Sequence, residues 1–487
     1  ALAPGTPEKS NLIARIESDD PDERMPPPDK GDALTEAEIA TLKTWISEGA
    51  KYEQHWAFVT PDKSALPEVK NLSWPRNSLD YFVLAKLESS GMSPSKESDR
   101  MIWLRRVSLD LTGLPPTPEE ADVFAADRWP QAFEKVVDRL LASDAYGEHW
   151  AQMWLDLARY ADTKGYEKDK HRDIWRYRDW VIDAFNSDMP YDQFTIEQLA
   201  GDLLPDRTSD QVLATAFHRN TMTNEEGGTD NEEFRVIAVK DRVDTTMQVW
   251  MGLTMGCAKC HSHKYDPISH DDYYAFYAFF NQTQDADQEH PLFPTPTAAQ
   301  SEQIAELKNK VRLLQERDTT PEVANELKAV QTELKNIEGS IPKTPVMLEL
   351  AANKLRKTRV HKRGNFLDPG EEMTPKVMAL FGAVPKDASA NRLTVARWLM
   401  QPENPLTARV MVNRLWARLF GIGLVETEED FGTQGLPPSH PELLDWLAVD
   451  FRQQSWSIKT LLRKIVLSAT YRQSSAASTE QRKQDPR

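Results

Sequence analysis

Three observations predict a mainly helical chain of several domains. Apolar residues recur at spacings of three and four, the period of a helix face rather than of a strand. Glycine is scarce at 20 and tryptophan plentiful at 14, so bulky core residues abound while sharp turns are few. The length of 487 residues is roughly three times that of an ordinary single domain.

The elements follow in order. Asp19 to Pro28 is a polar, proline-rich loop, after which Thr35-Glu36-Ala37-Glu38 caps a short helix carrying Ile39, Leu42 and Ile46 and ending near Gly49. A linker with Pro61, Pro67 and Pro75 separates this piece from a helical region expected over 76–285. There Trp150, Met153, Trp154, Leu157 and Ala161 mark one face, and Tyr177, Val181, Ala184 and Phe185 another, with Asp173 as its expected N-cap. A longer helix after Asp230 is predicted to bury Phe234, Ile237, Val243, Met247 and Trp250. Asp271-Asp272 opens a further helix with Tyr273, Phe276, Tyr277 and Phe280 on one aromatic face.

Over 299–338 the apolar positions Ile304, Leu307, Val311 and Leu314, then Val323, Leu327, Val330, Leu334 and Ile337, alternate steps of three and four around an Asp318-Thr319-Thr320-Pro321 break. This predicts an antiparallel helical hairpin of coiled-coil type, either a solvated structural arm or one that docks a partner. Residues 341–374, with Pro342, Pro345, Gly364, Pro369 and Gly370, read as a linker into a third helical region over 375–487. In that region Pro405 opens a helix bearing Leu406, Val410, Leu415, Trp416 and Leu419, stopped by Gly421 and Gly423, and the chain ends in polar Asp485-Pro486-Arg487.

Composition narrows the function. A formal charge of −17 disfavours a duplex nucleic-acid binder, which relies on releasing phosphate counterions, so no nucleic-acid partner is expected. No apolar run approaches the roughly 18 residues of a membrane span. The two cysteines exclude a disulfide scaffold and stand together in Cys257-Ala258-Lys259-Cys260-His261.

Two thiols three apart can add to the two vinyl groups of one haem, and the histidine that follows is placed to offer its imidazole to the iron. The expected cofactor is therefore covalent haem c, held by Cys257 and Cys260, with His261 as the proximal iron ligand. Two other chemistries use this spacing. A thioredoxin-like dithiol would need a preceding strand, whereas the residues before Gly252 follow a helical pattern. Zinc could take Cys257, Cys260 and His263 with a fourth group.

Gly252 to Cys257, His261-Ser262-His263-Lys264-Tyr265-Asp266-Pro267-Ile268, Asn224 to Thr229 and Asp241-Arg242-Val243 together resemble the planctomycete-type secreted cytochrome c family. Members join an N-terminal cytochrome c domain to two domains of unknown function. Leu109 to Pro116 and Tyr177-Arg178-Asp179-Trp180 look like the middle domain, and Asn413-Arg414-Leu415-Trp416 with Phe420-Gly421 like the start of the last. Met25-Pro26-Pro27 is similar to the loop of the first domain, which implies that Met25 is the distal ligand of an N-terminal haem. The attachment motif upstream of that loop is missing here, so residues 1–56 are expected to be the C-terminal remnant of a cytochrome c domain without its own haem, and the last domain to be only an N-terminal part.

For the haem at His261, the distal candidates are His149, His218 and Met222, with His218 preferred and an empty or water-bound position as the alternative. His263 is too close along the chain to reach the far face and suits a supporting role. Arg159, Arg178 and Arg242 are expected to pair either with haem propionates or with acids such as Asp162, Asp179 and Asp241. The leading function is haem-mediated electron transfer to a redox partner protein. The alternatives are a haem-dependent oxidoreductase acting on a small molecule such as a carbohydrate, and a partner-docking scaffold with structural haem. No catalytic residue is legible. Because haem c is attached outside the cytoplasmic membrane, the resemblance and the motif imply a periplasmic or secreted location.

Overall fold

The computed structural model describes residues 2–285, 289–318, 320–385, 387–476 and 479–484. Thr319, in the break of the expected hairpin, and the terminal Asp485-Pro486-Arg487 lie outside the described residues. Helices make up 53% of the protein, and it is mainly α. It divides into two compact units, one running to Val59 and one from Thr60 onward.

The first unit holds helices Asn11–Ile16 and Glu36–Ser47. The second starts at Thr35, whose hydroxyl accepts from Glu38 N while the Glu38 carboxylate accepts from Thr35 N, two reciprocal bonds that satisfy donors at the helix start. Ile13, Ile16, Ile46 and Ala50 form a small core with Leu12, Leu34, Ile39, Leu42 and Trp45 around it.

In the second unit the helices Asp144–Leu157, Trp175–Asn186 and Tyr191–Ala200 surround Trp154, whose ring meets Phe194, Phe217 and Trp250 at centroid distances of 4.8, 5.9 and 5.6 Å. Three polar edges of this aromatic core are engaged. Trp154 Nε1 and the Tyr177 hydroxyl both donate to Gln198 Oε1 at 2.7 Å, and Trp250 Nε1 donates to Thr195 Oγ1 at 2.9 Å. Helices Arg392–Leu399 and Thr407–Phe420 belong to this same unit, the first packing on Tyr191–Ala200. Buried Arg392 ties them by donating to Leu199 O at 2.7 Å and to Asp202 Oδ2 at 2.7 Å.

Three local expectations are corrected. Helix Trp175–Asn186 has Ile174 at its N-cap, because the Asp173 carboxylate is instead engaged by His171 Nε2 at 3.1 Å. In helix Asn231–Thr246, capped by Asp230 as expected, Ile237 is exposed while Arg235 and Arg242 are buried. The arginines go inside because partners wait there: Asn281 and Glu232 for Arg235, Asp285 for Arg242. The helix then widens into a π-turn, Met247–Met251, that the apolar period did not reveal.

Among the described residues sheet is confined to two small antiparallel pairs, Leu292–Pro294 with Lys343–Pro345 and Thr358–His361 with Pro369–Met373, so the stretch expected as a linker carries strands. Helices Ala298–Gln315 and Pro321–Gly339 pack on each other, with Lys308–Glu338 and Lys310–Glu326 ion pairs between them. Only the nine apolar positions read from the sequence are partly or fully covered within 301–338, among the described residues. No described helix is long and apolar enough to cross a membrane.

Candidate functional site

After the π-turn, Gly252 takes φ of 57°, a left-handed stop, and the chain leaves the helix axis. A single 3-10 turn, Gly256–Lys259, then presents Cys257 and Cys260, both free and exposed, with Ala258 buried beneath them. The turn is clamped through the carbonyl of Lys259. The Tyr274 hydroxyl donates to it at 2.9 Å and His270 Nε2 at 3.2 Å, both from helix His270–Phe280. The Lys259 ammonium pairs with Asp244, whose carboxyl is pushed up by burial against the pull of this lysine. The aromatic helix therefore does more than fill the core: its first turns hold the cysteine-bearing loop.

His261 is exposed, and its Nδ1 lies 2.7 Å from Ser262 O. A carbonyl only accepts, so Nδ1 donates in this contact and Nε2 is the ring nitrogen left to face a metal. That is the orientation of a metal-binding imidazole held by a backbone carbonyl. His263 has the opposite arrangement. Its side chain is 5% exposed and its Nδ1 accepts from Asp266 N at 2.9 Å, which uses the lone pair and leaves Nε2 as a donor. His263 is thus a structural residue, and the zinc grouping that needed it has no support in the geometry. Among the described residues no cluster of three or more His, Cys, Asp or Glu side chains is arranged to hold a metal ion.

Sequence reasoning missed the residues that brace this loop from far away. Gly364, with φ of +76°, sits so close that a Cβ there would be 2.9 Å from Cys260 Sγ, and its carbonyl accepts from Lys240 Nζ at 2.8 Å. Asp266, buried, accepts from Thr433 N at 2.8 Å and abuts Gly432, while Phe431 N donates to Gly252 O at 2.7 Å. A loop near the end of the chain therefore grips both flanks of the cysteine motif. Only the Gly/Pro character of 364–370 signalled an unusual backbone, and nothing in the sequence tied it to Cys260.

The remaining candidates lie apart from this loop. Met25 is in the first unit, 42% exposed, in a loop held by Arg24 donating to Pro26 O and Gly31 O. His218 is fully buried between Phe217 and Phe280, its Nε2 3.3 Å from Thr246 Oγ1 and its Nδ1 without a partner. Burial, with Arg242 and Arg159 nearby, holds its imidazole well below the usual range, so it is neutral. Arg242 Nε donates to His218 O, so residues 242 and 246 face His218, whereas Lys240 and Asp244 face the cysteine loop. Two residues along a helix are about 200° apart, which puts His218 across the helix from Cys257–His261.

His149 packs its ring against Gly113, and Met222 is exposed beside Gly165. Of the two partners expected for the three arginines, haem propionates or acids, they bond acids: Arg159 to Asp241, Arg178 to Asp179 and Arg242 to Asp285.

Residues 1–29 match the family described as Planctomycete cytochrome C, residues 78–285 Protein of unknown function (DUF1549), and residues 391–487 Protein of unknown function (DUF1553). Cys257, Cys260 and His261 fall within the second match. No curated protein and no solved structure matches the chain.

Proposed function

Because the chain belongs to the planctomycete cytochrome c family that carries these three domains in this order, we propose that it is a haem c protein whose covalent haem sits on the Cys257–His261 loop and exchanges single electrons with a redox partner protein. Each thiol would add across one haem vinyl group, forming a carbon–sulfur bond while the thiol hydrogen goes to the neighbouring carbon, so no oxidant is consumed. His261 Nε2 would be the proximal ligand. The haem supplies a one-electron couple at iron.

The observation that carries this reading is the pair of exposed free thiols one helical turn apart beside exposed His261, whose Nδ1 is spent on Ser262 O. The chain's own part is to hold that geometry: Tyr274 and His270 fix the Lys259 carbonyl, and Gly364 leaves room at Cys260. Exposure of the loop suits docking of a partner more than enclosure of a substrate. Thiols of this kind are kept reduced and ligated outside the cytoplasmic membrane, which favours a periplasmic or secreted location. Met25 fits the distal methionine of a separate N-terminal haem, and helices Ala298–Gln315 and Pro321–Gly339 an antiparallel structural arm of coiled-coil type.

The test is co-expression with a haem c maturation system followed by acidified-acetone extraction. One haem per chain should stay with the protein, and Cys257→Ala with Cys260→Ala should abolish retention. Release of the haem, or two haems per chain, would overturn the reading. A second reading, a haem-dependent oxidoreductase acting on a small molecule, is favoured by one observation: His218 lies across helix Asn231–Thr246 from the motif, so it would not serve as a second iron ligand from that place.

A further inference from the structure

A cavity of about 570 Å³ lies in the second unit, away from the cysteine loop, with walls from both regions matched to domains of unknown function. One wall is the end of helix Asp144–Leu157 and the π-turn, and the other is helix Thr407–Phe420 with the segment after Val425. Its volume is in the range of small-molecule sites, about 300–1,000 Å³. Two irregularities meet here. Arg159, at the cavity edge, is held at φ of 57°, a left-handed conformation that costs a bulky residue about 1–3 kcal/mol. The π-turn supplies Gln248 and Val249, and such turns recur at functional sites.

Most of the lining charges are already committed. Arg414, buried, spends its two terminal nitrogens on the carbonyls of Val249 and Gln248. Glu429 accepts from Gln248 Nε2 at 2.7 Å, and Arg159 donates to Asp241 through Nη1 alone, its Nε and Nη2 being buried without a partner. Arg418 and Glu428 line the same cavity, yet neither closes an ion pair within 4.0 Å among the described residues. The cavity therefore presents Arg418 and two unpartnered nitrogens of Arg159 on the cationic side and Asp156 and Glu428 on the anionic side, with Met153, Leu157 and Val249 as apolar lining.

We propose that this cavity binds a small zwitterion of amino-acid or dipeptide size with an apolar side chain, its carboxylate on Arg418, its ammonium on Glu428 and its apolar body against Met153, Leu157 and Val249. A guanidinium pairs a carboxylate through two parallel N–H donors, and an ammonium needs an acceptor-only partner such as a carboxylate. The site is independent of the haem reading, since none of these residues touches the cysteine loop in the contacts described above.

Calorimetric titration of the full chain with leucylleucine tests it. Saturable binding is expected, with about tenfold weaker affinity, about 1.4 kcal/mol, for Arg418→Gln and for Glu428→Gln. N-acetyl-leucylleucine amide, which lacks both charges, should bind at least as poorly to the parent. Arg418 is exposed at the rim, so its replacement leaves the core alone, and Arg418→Lys should recover part of the loss. No heat at millimolar dipeptide, equal binding of the blocked form, or unchanged affinity in both variants would overturn the proposal. Haem content does not enter the measurement, so its outcome is separate from that of the haem extraction.

Discussion

Arg242 Nη2 and Asp285 Oδ2 stand 2.5 Å apart, with side chains 2% and 1% exposed, and this pair binds the middle of helix Asn231–Thr246 to the segment after helix His270–Phe280. Burial by itself would raise the Asp285 carboxyl, but Arg242 and Arg219 outweigh it and hold it far below the usual range. A depressed folded pKa stabilises the fold above the unfolded value, near 3.9, and that stability drains away as pH falls below it. The melting temperature of the parent should therefore fall steeply below about pH 4. Asp285→Asn should be less stable at pH 7 by about 3–5 kcal/mol, because it strands buried guanidinium charge. Its melting temperature should also be flatter in the acid window. Thermal denaturation from pH 3 to 7 measures both, and a variant as stable as the parent at pH 7 would refute the assignment.

His218 adds a second acid-sensitive step in the same neighbourhood. Its imidazole is buried neutral, with burial as the main cause and Arg242 and Arg159 as further ones. The unfolded chain takes up a proton near pH 6.5 that the folded chain refuses, so stability falls as pH drops below that value. Replacing the ring by a neutral one of similar size, His218→Phe, should flatten the stability profile between pH 6.5 and 5. An unchanged slope would show that the ring is protonated in the folded protein.

What was legible in the sequence was local. The Thr35 box and the Asp230 cap are short-range hydrogen bonds between neighbours, and the seam from Ile304 to Ile337 is a periodicity. The same logic failed at Ile237 and at Arg242, because an arginine goes inside only when an acid such as Asp285 waits there, and that acid is 43 residues away. For the site, the cysteine spacing announced its own chemistry. The residues that hold the loop did not: the contact of Asp266 with Thr433 spans 167 positions, and Gly364 carries no side chain to read.

The close approach of Gly364 to Cys260 carries its own prediction. A methyl group at 364 would fall 2.9 Å from Cys260 Sγ and 3.6 Å from Lys259 O, at a φ that penalises any residue but glycine by about 1–3 kcal/mol. Gly364→Ala should keep the helical circular dichroism of the parent but lower the haem retained per chain after acid extraction. The Cys260 thioether should be affected before that of Cys257, which mass spectrometry of haem peptides resolves. Parental haem content in the variant would show that the loop yields at no cost.

The helix pair tests whether the covered seam is self-contained. Its apolar positions face each other and its ion pairs, Lys308–Glu338 and Lys310–Glu326, are exposed and internal to the pair. Replacing 299–338 by a short Gly/Ser linker should leave the haem absorption spectrum unchanged. A shifted spectrum would show that the arm supports the cysteine loop.

The sixth iron position separates the electron carrier from the open-site enzyme. A carrier gains from two strong protein ligands, because an iron that keeps its coordination in both oxidation states reorganises little, whereas chemistry at the iron needs a vacant or weakly held position. His218 was the side chain best placed in the sequence to serve, just ahead of the Asn224 to Thr229 loop. To reach an iron on His261 it would have to leave Phe217 and Phe280 and pass a helix roughly 10 Å thick. Carbon monoxide should therefore bind the reduced, haem-loaded protein at the same rate in the parent and in His218→Ala. Slow binding in both would keep the carrier with another side chain as ligand, and rapid binding in both would shift the assignment toward the oxidoreductase. Slow or absent binding in the parent with rapid binding in His218→Ala would instead mean that His218 leaves the core to ligate the iron, and would establish the carrier.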